Sequence, residues 1–300
     1  MEYFFQIILS GTTKGSIYAL IALGYTMVYG IIKLINFAHG EIYMIGAFTA
    51  LIIGATLSPT GMNPIMILAI ATLAAMFFSS GYGVTMEKIA YKPLRKAPRL
   101  SALISAIGMS MFLQYYVLLM QTEKFLPFPN FIPQFAFIKP AEKFINSTQL
   151  VILLVTAVVM LLLTLLIKYT KMGKAMRATS QDKEMAQLVG IDINRVISVT
   201  FIIGSATAAI GGVLICSYQG QINYYIGFIA GIKAFVAAVL GGIGSIPGAV
   251  LGSFVLGWGE SLGAGYISSD YEDAFAFIIL ILILTLKPSG ILGRKDTDKV

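Results

Sequence analysis

Charge is scarce in this sequence. Only 12% of the 300 residues are Asp, Glu, Lys or Arg, against roughly a quarter in a soluble domain. Hydrophobic residues make up 57% and the mean hydropathy is +0.84. No soluble fold has an interior large enough to hide that much apolar surface, so the composition excludes an ordinary water-soluble domain and implies a bilayer. Cysteine is limited to Cys216, which excludes a disulfide within the chain. Histidine is limited to His39, so HExxH and its relatives are absent and no metal site is expected. A GxxxxGK sequence followed by Ser or Thr is also missing, and any ATP must therefore be hydrolysed by another chain. The opening MEYFFQIILS has no basic residue before Lys14 and no small-residue cleavage pattern, and it reads as a retained segment.

What is present is a series of apolar stretches, at about 5–32, 41–57, 64–86, 101–121, 148–167, 196–217, 228–243, 245–262 and 273–287. A helix needs roughly 20 residues to cross about 30 Å of hydrocarbon, so the expected fold is an all-α integral membrane protein with eight or nine transmembrane helices. Lys and Arg collect in cytoplasmic loops. Sixteen of the 21 basic residues lie at Lys33, Lys88–Arg99, Lys168–Arg195 and Lys287–Lys299, so these places share the cytoplasmic side, the C-terminus included. The loop 122–147, with Lys124, Lys139 and Lys143, is then external. Nine crossings put the N-terminus outside, and eight put it inside. The net charge of +7 reads as this topology signal; no aromatic and basic platform for nucleic acid accompanies it.

Thirty glycines supply the small residues that let helices approach closely in lipid. Gly244, Gly248 and Gly252 recur at spacing four, as do Gly259 and Gly263, giving expected packing faces with a hinge or gate as the functional alternative. The run Gly242-Ile243-Gly244-Ser245-Ile246-Pro247-Gly248 imitates a dinucleotide fingerprint but lies between apolar helices, so it reads as a tight or re-entrant turn. Asn36, His39 and Glu41 cluster at the start of the second stretch; helix-end hydrogen bonding and lining of a substrate path both fit them. Lys233 and Glu260 sit within apolar stretches, where ionisable groups are costly, and snorkelling or a role in translocation accounts for either. Asp270, Glu272 and Asp273 form an external acidic cluster, solvated or steering a docked partner. Asn146-Ser147-Thr148 matches a glycosylation acceptor and reads as a chance match.

The segment 168–195, KYTKMGKAMRATSQDKEMAQLVGIDINR, is too patterned for a linker. Lys174, Arg177, Gln181 and Glu184 share one helical face, while Ala178, Met185, Leu188 and Val189 offer an apolar patch. Gly173 and Gly190 bracket the segment, Gly190 as a C-terminal stop. One or two short amphipathic helices are expected, either lying at the interface or docking a cytoplasmic partner.

The blocks at 173–178 and 186–191 resemble the coupling segment of ABC-importer permeases. In particular the chain resembles the LivH-type family of branched-chain amino acid permeases. GSIYALIALGYTMVYGIIKLINFAHGE at 15–41, RVISVTFIIGSATAAIGGVL at 195–214 and GFIAGIKAFVAAVLGGIGSIPGA at 227–249 carry the same likeness over most of the chain. The resemblance implies a single permease domain over 1–300, a second homologous permease subunit, two cytoplasmic ABC ATPase subunits, an external solute-binding protein, and no cofactor on this chain. It places coupling on Gly173, Arg177, Asp182, Glu184 and Gly190. Candidate pore or gate residues are Asn36, His39, Glu41, Lys233, Gly242, Gly244 and Gly248, and candidates for binding-protein docking are Asp270, Glu272 and Asp273. A stand-alone secondary transporter or channel for a small polar solute is the competing reading. It would require a mid-membrane coupling site.

Overall fold

The computed structural model describes residues 2–95, 97–135, 144–287 and 289–293. Lys96, Lys139, Lys143 and the basic residues of the tail from Arg294 onward lie outside the described residues. In chain order the helices are α1 (Glu2–Ile32), α2 (His39–Leu57), α3 (Pro64–Met86), α4 (Arg99–Met120), α5 (Ser147–Tyr169), α6 (Lys171–Gln181), α7 (Lys183–Leu188), α8 (Ile193–Gln219), α9 (Ile226–Gly241), α10 (Ile246–Tyr266) and α11 (Glu272–Leu286). The nine apolar stretches correspond to α1–α5 and α8–α11. A two-residue antiparallel pair, β1 (Leu126–Pro127) with β2 (Gln221–Ile222), joins the 122–147 loop to the end of α8.

Helix is the outcome because hydrocarbon offers no partner to a free backbone group, and the starts are written locally. Asn63 accepts from the Ile65 N–H with Pro64 at the first helical position of α3. Asn146 and Gln149 form a reciprocal capping box on α5, so the Asn-Ser-Thr motif is a helix start. Asp192 caps α8 and Ser245 caps α10. Six of the described helices are long and apolar enough to cross a membrane, and α9 with α10, bent by 119°, supplies a seventh if the pair is one span. α11 has the composition but only 15 residues.

Contacts define two ends of the bundle. At one end Lys183 of α7 donates to the Ile32 carbonyl closing α1, and Ile291 and Leu292 N–H donate to the Leu240 and Gly241 carbonyls closing α9. At the other, Tyr3 near the start of α1 donates to the Gly265 carbonyl near the end of α10.

α1 is the axis. It packs against α10, α8, α9 and α5, and Ile17, Leu20, Ile21 and Ala22 are fully buried. Its closest partner is α10. A Cβ on Gly15 would stand 2.9 Å from the Ser253 carbonyl, and one on Gly257 would stand 2.4 Å from the Gly11 carbonyl. Backbone therefore lies on backbone, which only glycine permits. The expected ladder begins one step later than its spacing suggests, because Gly244 lies in the α9–α10 turn with φ +93° and open space around it. Gly248 and Gly252 do pack on Gly241 and the Ala237 carbonyl of α9, and Gly259 and Gly263 receive Ile279 and Phe275 of α11.

Candidate functional site

The segment between α5 and α8 folds as two helices, not as one continuous face. Asp182 is extended (φ −152°) and its carboxylate caps α7 by accepting from the Met185 N–H. Glu184 therefore belongs to a separate helix from Lys174, Arg177 and Gln181. Gly190, at φ +84°, ends the segment as its position suggests. Gly173 does not bracket the segment; it lies in the first turn of α6, its N–H bonded to Thr170 Oγ1 at 3.0 Å. A Cβ there would come within 2.3 Å of the Leu166 and Ile167 carbonyls, so glycine lets α6 turn directly back on the end of α5.

Three attachments hold this segment to the bundle. Arg177 Nη1 donates to the carbonyls of Ile167 and Lys168, two of the orphan acceptors at the C-terminus of α5. Met176 and Thr179 are buried beneath α6. Lys183 Nζ reaches the Ile32 carbonyl at 3.2 Å, and partial burial, followed by the nearby charges of Arg95 and Lys33, pushes its pKa down. Beside it, Arg95 bridges Glu87 in the turn after α3 to Asn194 of α8, and Ser198 donates to the second Glu87 oxygen at 3.0 Å. The opposite side of α7 is bare: Met185, Leu188 and Val189 are 59%, 79% and 74% exposed, and Glu184 is exposed with them.

Inside the bundle the break between α1 and α2 gathers polar side chains. Asn36 accepts from the Tyr91 hydroxyl at 2.8 Å. His39 opens α2 and sits edge-on to Tyr25, ring centroids 4.9 Å apart. Glu41 accepts from Ser110 of α4 at 3.0 Å, and its other oxygen faces Gly227 at the start of α9. All of these groups are buried, and Asn36 Nδ2, His39 Nε2, Glu41 Oε2 and Ser205 Oγ have no hydrogen-bond partner among the described residues. Buried polar atoms of this kind are ordinarily matched by water or ligand, so the seam has the chemistry to hold either. Gly40, Gly227 and Gly231 close it, a Cβ on Gly40 meeting the Gly227 carbonyl at 2.2 Å.

Lys233 is not in that seam. Its ammonium lies 3.3 Å from Glu260, 2.7 Å from Asp273 and 3.8 Å from Glu272, and Glu272 also takes Lys14 at 2.7 Å. Tyr18 donates to Glu260 at 2.8 Å. One network thus ties α1, α9, α10 and α11. Lys233 and Glu260 are buried and paired, so neither snorkels. Of the acidic cluster, Asp270 has no ion pair among the described residues, Glu272 is half-buried between Lys14 and Lys233, and Asp273 pairs with Lys233 while staying 62% exposed. Gly242, at φ +102°, makes the α9–α10 turn and carries the backbone of Leu292 and Gly293 against it, while Gly248 packs within the first turn of α10.

Tyr18, Tyr25, Tyr91, Ser110, Glu87 and Lys183 were not singled out from the sequence. Tyr18 and Tyr25, one polar tip per two turns in an otherwise aliphatic run, were the available signal; the others become partners only through tertiary contact.

The family model for the permease component of branched-chain amino acid transport systems matches residues 7–284. The chain is 50% identical to the high-affinity branched-chain amino acid transport permease LivH of Salmonella typhimurium strain LT2, over 99% of this chain and 98% of that one. It is 49% identical to LivH of Escherichia coli K12 and 48% identical to BraD of Pseudomonas aeruginosa, at the same coverage. A multi-helix membrane permease is the class these observations define. The chain belongs to the branched-chain amino acid transport permease family.

Proposed function

We propose that this chain is the permease subunit of an ABC importer, forming the path for branched-chain or related amino acids delivered by an external binding protein. The observation that carries the reading is the segment α6–α7. One side of it is bonded to the ends of α5 and α1, and the other presents Met185, Leu188 and Val189 to whatever lies beyond. Such a part would transmit force between a partner and the bundle, and since this chain has no P-loop, ATP that drives the transport is hydrolysed on that partner.

In this reading Gly173 and Arg177 fix the segment to α5, Asp182 and Gly190 delimit α7, and Glu184 with the apolar patch meets an ATPase subunit. Closure of two such subunits on ATP would rock this chain and a second homologous permease between two states, a rigid-body switch. The buried seam of Asn36, His39 and Glu41 lines or gates the path. Gly242 and Gly244 form the turn beside the segment, Gly248 packs the first turn of α10 against Gly241, and Lys233 holds helices α9 and α10 together. Of Asp270, Glu272 and Asp273, the exposed Asp270 and Asp273 are the residues presented to a binding protein. No cofactor is assigned to this chain; ATP belongs to the partner subunits.

The whole of 1–300 is one permease domain in the cytoplasmic membrane, with 168–195 internal and 122–147 external. Of the two counts, nine traverses give an external N-terminus and eight an internal one; this reading takes nine, with the C-terminus cytoplasmic. Supporting it, the end of α1 and residues 291–292 lie at the end of the bundle that carries α6–α7, whereas Tyr3 lies at the other.

The test is ligand-stimulated ATP hydrolysis by the reconstituted importer carrying Leu188→Asp with Val189→Asp. Stimulation should be lost while the chain still reaches the membrane. Uphill accumulation of amino acid by vesicles holding this chain alone would overturn the reading.

A further inference from the structure

A groove runs between α5 and α10 on the outside of the bundle, with a volume of about 630 Å³. Leu23 of α1 forms its floor, Met160 of α5 and Val250 and Leu251 of α10 its walls, and Lys168 and Arg177 stand at one end. The volume falls within the range of about 300–1,000 Å³ typical of sites for small amphiphilic ligands. α5 packs on α1, α6 and α8, and α10 on α1, α9 and α11, so the floor of α1 holds the two walls apart. Outside the groove α5 continues as an apolar, exposed face through Leu154, Leu161 and Leu165.

We propose that this groove binds one anionic phospholipid, one of its acyl chains along Leu23, Met160, Val250 and Leu251 and its phosphate between Lys168 and Arg177. Charge complementarity selects the occupant. A zwitterionic lipid would bring its own ammonium beside the phosphate and leave the positive charge of Lys168 and Arg177 unbalanced, and a free phosphate would leave the apolar walls uncovered.

The basic end is also prepared for a phosphate. Arg177 spends Nη1 on the Ile167 and Lys168 carbonyls, which fixes the guanidinium plane and leaves its other donors for an anion in the bidentate manner that guanidinium favours. Lys168, in the last turn of α5, has its ammonium 5.3 Å from the centre of the Tyr169 ring, an aromatic anchor of the kind found at headgroup depth. Lys171 and Lys174 are exposed on the adjoining helix α6, and basic clusters at a membrane face recognise acidic headgroups. Because Arg177 also secures α6, a lipid seated here would touch the segment through which the partner acts. The inference concerns the lipid and stands whether or not the transported solute has been named correctly.

The experiment uses the full chain in its native complex, placed in nanodiscs with phosphatidylglycerol that carries a photoreactive acyl chain. Labelling should fall on the peptides containing Met160–Lys168 and Ile246–Leu251. Unlabelled phosphatidylglycerol should compete about tenfold better than phosphatidylcholine, a difference of about 1.4 kcal/mol. Val250→Trp should abolish the label by filling the groove, and Lys168→Gln should erase most of the preference between headgroups. Labelling of the exposed face of α3 at Phe77 should be indifferent to headgroup. Equal competition by phosphatidylcholine at the groove in the unaltered chain would overturn the proposal, even if a variant fails to fold. So would a disulfide from Met160→Cys or Leu251→Cys to another subunit, with no lipid label, because the groove would then be a protein interface.

Discussion

Helices α1 and α5 differ in the opposite sense to that expected in water. α5 is the most apolar of the six described helices long enough to span, yet only 17% of its window is buried; the less apolar α1 is 89% buried. In a soluble protein the ranking would be reversed. Lipid tails are as apolar as leucine, so burial brings no hydrophobic gain and goes instead to surfaces that pack closely or carry polar groups. α1 has both: Gly11 and Gly15 against α10, and Thr13, Ser16, Tyr18 and Tyr25 turned inward. α5 is mostly Leu, Val and Ile and faces outward at Leu154, Val158, Leu161 and Leu162.

The sharpest way to break this contrast is through the ion network that fastens α1 to its neighbours. Replacing Lys233 by Met strands the buried Glu260 carboxylate, and loss of one partner of a buried pair costs about 3–5 kcal/mol. Thermal unfolding of the purified chain should show the loss. Lys233→Met combined with Glu260→Gln should recover part of it; no recovery would mean that the pair is not coupled.

Next in size is leucine truncation. Leu20→Ala on α1 should cost about 2–5 kcal/mol by leaving a cavity, whereas Leu161→Ala on α5 should stay within about 0.5 kcal/mol, as at other exposed positions. Equal losses in the same unfolding assay would show that α5 is covered by something other than lipid. Smaller again is Gly15→Ala, which places a methyl 2.9 Å from the Ser253 carbonyl and should cost about 1–3 kcal/mol from overpacking. Gly108→Ala on α4, where no atom of the described residues lies within 4 Å of the added methyl, should be neutral or slightly stabilising. A substitution at Gly15 tolerated as well as one at Gly108 would remove the backbone-on-backbone seam from the account.

The apolar runs were legible because a bilayer imposes a length and a composition on whatever crosses it, and each run folded as a helix. The surface segment was legible for a related reason: its basic and apolar residues recur at helical spacing, and Gly190 is a stop that only a residue tolerant of positive φ can make. The break at Asp182 was not visible. A mid-segment Asp serves equally as a solvated helical residue or as the cap of a new helix, and its φ/ψ, set by how α6 folds back on α5, decided between them. The Gly244–Gly248–Gly252 spacing was similarly ambiguous, since a period of four cannot say where a helix starts.

By itself the sequence determined that this chain lives in a membrane, where its helices lie and which surface segment they leave outside, because solvent acts on each stretch separately. Tertiary structure alone decided partnership. That Lys233 meets Glu260 and Asp273, that Arg177 turns back to the end of α5, and that Asn36, His39 and Glu41 converge with Tyr25, Tyr91 and Ser110 depends on how separate helices are set against one another. No local pattern encodes such distances.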